Sequence, residues 1–137
     1  MSEVTKSVEI AEYYLVEARK LMERGDVHDA AEKVWAAVRS ATQALTAKIM
    51  GAVAPPRGVT WREFIRETLV KAGLTSEEAD KWASYYIDVR DRLHGACFYG
   101  LIYEEAEHKP LMLKAEEYVN LVKKILGNEE VSEYMGG

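Results

Sequence analysis

The residues best suited to chemistry lie in one short stretch, Arg90-Asp91-Arg92-Leu93-His94. Arg90 and His94 are four residues apart, so a helix would place them on one face, one turn from each other. A histidine can act as a general acid or base near neutral pH, and an arginine can neutralise a phosphate in a transition state. The stretch therefore indicates a centre for RNA cleavage or nucleotide binding.

A structural interpretation of the same pair competes with this one. Arg90 would form an ion pair with a glutamate from another helix, and His94 would bond a carbonyl, since ion-pair networks also occur without catalysis. Burial of both residues behind a carboxylate such as Glu12, Glu17 or Glu32 would favour this interpretation.

Two other groups of residues have the spacing of metal ligands. Glu105-Ala106-Glu107-His108 has the Glu-x-x-His spacing of di-iron bundles, and Asp91 with His94 repeats it. A di-iron site needs two further inward glutamates, and we expect Pro110 to break the local helix. Residues 104–108 are therefore predicted to form a solvated turn.

Zinc is excluded on similar grounds. His94 and Cys97 would supply two ligands, but a structural zinc needs four. Cys97 is instead expected to be a buried apolar thiol, and His28 an exposed residue in the first turn of its helix. We expect neither a metal nor a cofactor.

Aromatic side chains are numerous enough to raise the question of base stacking. At helical spacing they are more often core or interface residues, which is the interpretation that we adopt. They are Trp35, Trp61, Trp82, Tyr13-Tyr14 and Tyr85-Tyr86.

The composition is typical of one globular domain. The chain has 137 residues, of which 48% are hydrophobic and 30% charged, and its net charge of −5 argues against nucleic-acid binding by the whole surface. A single cysteine, no signal-like start and no membrane-spanning run predict a cytoplasmic protein that makes no membrane contact. Residues 1–127 are expected to form the domain and residues 128–137 an acidic, flexible tail.

The apolar periodicity predicts an all-α fold, an antiparallel up-and-down bundle of about five helices. The first two helices are joined by Gly25-Asp26 as an antiparallel hairpin, because glycine permits a left-handed stop and aspartate caps the next helix. Thr60 caps the third, and a capping box of Thr75 and Glu78 opens the fourth. The predicted ranges are 3–24, 27–50, 61–72, 75–99 and, for the last helix, Pro110 to Leu126, ended by Gly127.

The fourth predicted helix has little polar surface. A helix that is apolar nearly all round is buried on two sides, and in so small a bundle the second side would be a subunit interface. We therefore expect a homodimer with this helix near its two-fold axis.

Several of these features together resemble the HEPN superfamily of helical bundles. Within it, Gly25-Asp26-Val27-His28-Asp29-Ala30-Ala31-Glu32-Lys33 and Leu93-His94-Gly95-Ala96-Cys97-Phe98-Tyr99 are similar to elements of the archaeal PaREP-type family. The resemblance implies a dimeric bundle in which arginine and histidine from both protomers line a metal-independent ribonuclease cleft. It also implies a toxin–antitoxin pair, with a nucleotidyltransferase-type antitoxin as partner.

Carried onto this chain, Arg90 and His94 match the catalytic pair of the superfamily. Three residues separate them, where active ribonucleases usually have four to six, and Ala96 stands where a tyrosine is common. The prediction is therefore a HEPN-like dimeric module, catalytically degenerate or weak, that binds a nucleotide, RNA or a partner protein. Asp91, Arg92 and Tyr99 are assigned to binding. The alternatives are a toxin-type endoribonuclease that uses Arg90 and His94, and a purely structural interaction domain.

Overall fold

The fold is known from a computed structural model that describes the backbone of residues 3–134 and the side chains of residues 6–127. Within these residues the protein is all-α, without a strand, as predicted. The elements are α1 (Glu3–Glu23), α2 (Val27–Met50), α3 (Trp61–Lys71), α4 (Ser76–Asp88), a π-helix (Val89–Tyr99) and α5 (Glu105–Tyr134). In the described part of the chain, no helix is both long enough and apolar enough to cross a membrane.

The turn between α1 and α2 forms as its sequence predicts. Gly25 has a left-handed φ of +78°, which a residue with a β-carbon adopts at a cost. The side chain of Asp26 accepts a hydrogen bond from the backbone N–H of Asp29 at 3.4 Å, which satisfies one free donor of α2. This tight turn holds α1 and α2 against each other along their length.

The central helix of the domain is α2, which packs against α1, α3, α5 and the π-helix. Its buried face is rich in alanine, so the neighbouring helices approach closely. At its centre the Tyr118 hydroxyl of α5 lies 2.5 Å from the Thr42 hydroxyl, which in turn donates to the Val38 carbonyl. The buried residues of α2 are Ala30, Ala31, Val34, Trp35, Ala37, Val38, Ala41, Thr42, Ala44, Leu45 and Thr46.

The predicted fourth helix is continuous in space but changes its hydrogen bonding. The predicted cap forms, because the Thr75 hydroxyl accepts the N–H of Glu78 at 3.2 Å; the Glu78 carboxylate accepts the same hydroxyl at 3.0 Å, rather than the Thr75 N–H of a full capping box. The expectation of a single α-helix to Tyr99 is wrong, because residues 89–99 form a π-helix, whose hydrogen bonds span five residues rather than four.

One row of buried side chains continues from α4 into the π-helix. Tyr85, Val89, Leu93 and Cys97 follow one another at intervals of four residues, and all are buried. Tyr85 contacts α5 through its bond to the Leu111 carbonyl, and the π-helix packs against α2.

The last helix departs from prediction at both ends. It begins at Glu105 rather than near Pro110, and it runs through Gly127 to Tyr134 rather than ending there. Proline removes only one backbone hydrogen bond near the start of a helix. The buried side chains of His108 and Met112 hold the helix in place on either side of Pro110. Residues 135–137 lie outside the described residues, and a flexible tail stays a prediction.

The apolar surface of the fourth predicted helix is largely covered within the chain itself. Trp82, Tyr85, Tyr86, Val89 and Leu93 are all buried by its own helices. Much of the apolar surface of this helix is therefore covered within the chain, and the homodimer with this helix near its two-fold axis stays a prediction.

We expect the end of the π-helix to tolerate no side chain at Gly100. A β-carbon there would lie 2.6 Å from the Ala96 carbonyl oxygen, whereas one at Gly95 would meet only the Arg90 carbonyl at an ordinary 3.7 Å. Gly100→Ala should lower the free energy of unfolding by about 1–3 kcal/mol, as overpacking does. The matched variant Gly95→Ala should leave it unchanged or raise it by up to about 1 kcal/mol. Urea denaturation measures both, and equal stability of the two variants would contradict the assignment.

Candidate functional site

The Arg90–His94 stretch forms the first half of the π-helix, and only Leu93 within it is fully buried. The side chains of Arg90 and His94 are 38% and 30% exposed, and Asp91 and Arg92 are on the surface. The structural interpretation requires Arg90 and His94 to be sealed inside the protein, and they are not. The four polar side chains of the stretch remain within reach of a ligand.

His94 is oriented by a carboxylate from α2. Its Nδ1 lies 2.8 Å from Oε2 of Glu32, one of the three glutamates named from the sequence. The carboxylate accepts the N–H, so the neutral imidazole carries its proton on Nδ1. Among the described residues Nε2 has no hydrogen-bond partner, which leaves a lone pair available to a ligand.

Aromatic rings fix the plane of the imidazole. Trp35 of α2 stacks on His94 with centroids 5.4 Å apart and 29° between the planes, while Tyr99 meets it edge-on at 5.0 Å. Trp35 is buried, but Tyr99 is 71% exposed. His94 therefore lies between a buried ring that positions it and an exposed ring that faces solvent.

Arg90 forms an ion pair with its neighbour in sequence. Its Nε lies 2.9 Å from the carboxylate of Asp91, so the expectation of a glutamate from another helix is wrong. The bond uses one donor of the guanidinium, and the terminal nitrogens have no partner among the described residues. Asp91 thus orients Arg90, and Arg92 stays on the surface without an ion-pair partner among those residues.

A further arginine, Arg39, belongs to the same region and was missed from the sequence. Burial raises the pKa of the Tyr86 hydroxyl, while the charges of Arg90 and Arg39 both oppose that rise. The signal was the spacing of Glu32, Trp35 and Arg39, which recurs at three and four residues along one face of α2.

His28 and Cys97 link the far end of the π-helix to α2. The Nδ1–H of His28 donates to the Cys97 carbonyl at 2.9 Å, and the ring is half-buried, so the prediction of an exposed residue is wrong. Cys97 is fully buried, as predicted, and burial raises the pKa of its thiol. The pair anchors the helix rather than forming a nucleophilic site.

The predicted solvated turn around His108 is only partly present. Glu104, Glu105 and Glu107 are exposed, but His108 is buried and its Nδ1 accepts the backbone N–H of Glu104 at 2.9 Å. The histidine thus caps the start of α5 and stacks against Tyr103. No group of three or more potential metal ligands occurs among the residues that the structure describes.

Most of the aromatic residues are core, as the sequence predicts. Trp35, Trp82, Tyr85 and Tyr86 are buried, whereas Tyr13 is 61% exposed. Their rings nevertheless form a continuous series through the core, because Trp61 stacks on Tyr86 and Tyr86 contacts Trp35. The series connects α3 to the imidazole of His94.

A separate groove of about 480 Å³ lies between α1, α2, α5 and the segment before α5. None of Arg90, His94 and Tyr99 lines it. Leu15, Met22 and Met112 contribute to its apolar walls. The hydroxyl of Tyr103, which also lines the groove, is buried and has no hydrogen-bond partner among the residues that the structure describes. The groove and the Arg90–His94 stretch are therefore distinct features.

Removal of the Glu32 carboxylate should change the tautomer of His94. At a pH where the imidazole is neutral, the proton should lie on Nδ1 in the wild type and lose this preference in Glu32→Ala. Two-bond ¹H–¹⁵N NMR correlation spectra report the tautomer directly. His28 is the internal control, because its Nδ1–H bond to the Cys97 carbonyl is independent of Glu32. An unchanged His94 pattern in the variant would contradict the pairing.

The Cys97 thiol should be inert in the folded protein. Burial and a raised pKa reduce both access and the thiolate fraction at neutral pH. A disulfide reagent should modify the native chain at least about a hundredfold more slowly than the urea-unfolded chain. Similar rates in the two states would show that the thiol is accessible.

The comparisons with known proteins agree with one resemblance seen in the sequence. The family model of the archaeal PaREP1/PaREP8 family matches residues 6–134, which include every helix described here except the start of α1. No curated protein matches the chain, and no solved structure matches it. The match extends over nearly the whole chain, so the protein belongs to the archaeal PaREP1/PaREP8 family.

Proposed function

We propose that this protein is a HEPN-like module, an antiparallel up-and-down bundle that dimerises and binds RNA or a nucleotide. The binding surface consists of Arg90, Arg92, His94 and Tyr99 and is called the His94 surface below. The observation that carries the proposal is the state of His94. Its ring is partly exposed and bonded to Glu32 through Nδ1, and Nε2 has no partner within the described part of the chain.

The chemistry of the His94 surface suits a ligand with both phosphate and a base. Arg90 and Arg92 supply donors for phosphate oxygens, which arginine binds through its planar fork. The exposed ring of Tyr99 offers a face for stacking, worth about 1–3 kcal/mol per base. The net charge of −5 argues against general adhesion to nucleic acid, so binding would be confined to this surface.

The second candidate is a metal-independent endoribonuclease, favoured by the Glu32–His94 pair. Nε2 of His94 would accept the proton of a ribose 2′-hydroxyl, whose oxygen attacks the adjacent phosphorus as the bond to the 5′-oxygen breaks. Arg90 would stabilise the charge on the phosphate oxygens, and the leaving 5′-oxygen would take a proton from water or from the histidine of a second protomer. The short Arg–His spacing and Ala96 favour binding over efficient cleavage.

The proposal extends to partners and location. A nucleotidyltransferase-type antitoxin would cover the His94 surface in a toxin–antitoxin pair, and the complex would be cytoplasmic. The competing structural interpretation holds that Glu32 and His94 only fix the packing of α2 on the π-helix. Ligand binding distinguishes the proposed function from the structural interpretation, because a protein in which this pair only packs two helices together would not bind RNA or a nucleotide at this surface.

Binding should depend on Arg90 and His94. Fluorescence polarisation with a labelled single-stranded RNA of about 12 nucleotides should show about tenfold weaker binding for Arg90→Ala and His94→Ala. Arg57→Ala, which removes an exposed arginine from the loop before α3, is the matched control and should bind like the wild type.

Cleavage is measured on the same RNA in the presence of EDTA. Slow cleavage by the wild type that is lost in His94→Ala would favour the endoribonuclease. Binding of the RNA by the wild type without cleavage would favour the non-catalytic module. Absence of binding by the wild type, or equal binding by all three variants, would contradict the proposed function. Circular dichroism of each variant checks that it is folded.

A further inference from the structure

The side of α1 that faces away from the core carries a regular stripe of four residues. They recur at intervals of four, three and four residues, which is the repeat by which one helix packs along another. They are Lys6, Ile10, Tyr13 and Glu17, called the α1 stripe below. The core side of α1 consists of other residues, among them Val8, Ala11 and Ala18, which are buried.

The centre of the α1 stripe is apolar and uncovered. Ile10 is 47% and Tyr13 61% exposed, and Val16 beside them is 46% exposed. A surface helix normally presents polar residues on this side, and a group of exposed apolar residues marks an interaction surface.

The ends of the α1 stripe carry opposite charges, which determine the partner that fits. Lys6 lies one turn before Ile10, and Glu17 lies one turn after Tyr13. The midpoint between Ile10 and Tyr13 is also the midpoint between Lys6 and Glu17. A second α1 laid antiparallel about a two-fold axis through that midpoint therefore places Lys6 opposite Glu17 and Ile10 opposite Tyr13.

The α1 stripe is thus complementary to itself, as a two-fold interface requires. A parallel arrangement would place each Lys6 opposite the other Lys6 and each Glu17 opposite the other Glu17, and like charges repel. Glu17 is paired with Lys20 within the chain at 3.5 Å, and its side chain remains 27% exposed, so it is still accessible to a second lysine.

We propose that α1 forms the dimer interface of this protein, packed antiparallel against α1 of a second copy. This inference rests on the proposed function, which includes dimerisation, and deepens it by naming the surface. It places α1 rather than the fourth predicted helix at the two-fold axis. Because the contact is one helix wide, the dimer belongs to the class of small, weak interfaces that bury less than about 1,200 Å².

Such a dimer leaves the His94 surface open. Lys33 of α2 lies over the Tyr14 ring of α1, at 5.6 Å from its centroid, whereas Glu32 and Trp35 contact His94. Neighbouring residues of a helix point in different directions, so α1 and the π-helix pack on different sides of α2. RNA binding at the His94 surface should therefore not require the dimer.

The first experiment is sedimentation velocity of the full chain at about 1 to 200 μM, the range in which a weak dimer forms. The wild type should rise from the monomer mass of 15.5 kDa towards twice that value. Tyr13→Glu should stay monomeric, because it buries a charge at the centre of the contact. The matched control is Val70→Glu on α3, where valine is 40% exposed, and it should dimerise like the wild type.

Two outcomes would overturn the inference. A wild type that stays monomeric throughout would leave a different protein as the occupant of the α1 stripe. A Tyr13→Glu variant that dimerises like the wild type would place the interface elsewhere. Circular dichroism checks that each variant is folded.

Charge reversal tests the antiparallel register. Lys6→Glu and Glu17→Lys should each weaken the dimer about three- to tenfold at low salt, because each creates two like-charged pairs. The double variant, and an equal mixture of the two single variants, should recover wild-type affinity within about threefold, since opposite charges then face each other again. Losses that simply add in the double variant would overturn the register.

RNA binding separates this inference from the proposed function. Tyr13→Glu should bind the labelled RNA like the wild type. If the wild type is monomeric but binds RNA through Arg90 and His94, the inference fails and the binding function stands. If it dimerises through α1 but binds neither RNA nor a nucleotide, the inference stands and the binding function fails.

Discussion

The row of buried side chains at intervals of four residues constrains the whole site. Tyr85, Val89, Leu93 and Cys97 are all buried, and the last three lie in the π-helix. Burial of a large apolar side chain contributes about 1.5–3 kcal/mol. Because Leu93 and Cys97 are fixed in the core, Arg90 and His94 project from a backbone that packing holds in place.

The same constraint explains why the polar residues of this stretch meet residues of α2. The π-helix is held at one end by the bond from His28 to the Cys97 carbonyl and in its middle by the Glu32–His94 pair. Its polar side therefore lies along the edge of α2, where Trp35 supports the imidazole. π-Helical segments occur frequently at functional sites, because they present side chains at angles that a regular helix does not. Here an eleven-residue segment contains every residue assigned to the site from the sequence.

Much of the fold could be predicted because its signals are local. The Gly25-Asp26 turn, the Thr60 cap and the cap at Thr75 depend on residues three or four apart. The π-helix was missed, since the apolar residues of this stretch have a spacing that an α-helix also accommodates. The start of α5 was misplaced for a related reason, because Pro110 is tolerated where His108 caps the helix from inside.

The site was predicted in part. Arg90 and His94 were recognised by residue type and spacing. Glu32 was named as one of three carboxylates that the fold could bring close to them. Trp35 was assigned to the core, where it is, but its contact with His94 depends on the packing of two helices. Arg39 was missed, although it continues the three- and four-residue spacing of Glu32 and Trp35 along one face of α2.

The central claim is that a phosphate-bearing ligand binds where the π-helix meets α2. The most direct measurement is a titration of ¹⁵N-labelled protein with AMP, followed by amide and side-chain chemical shifts. The shift changes should concentrate at Arg90, Arg92, His94 and Tyr99. Changes concentrated instead at Leu15, Met22 and Met112, in the groove between α1 and α5, would contradict it, as would the absence of any change.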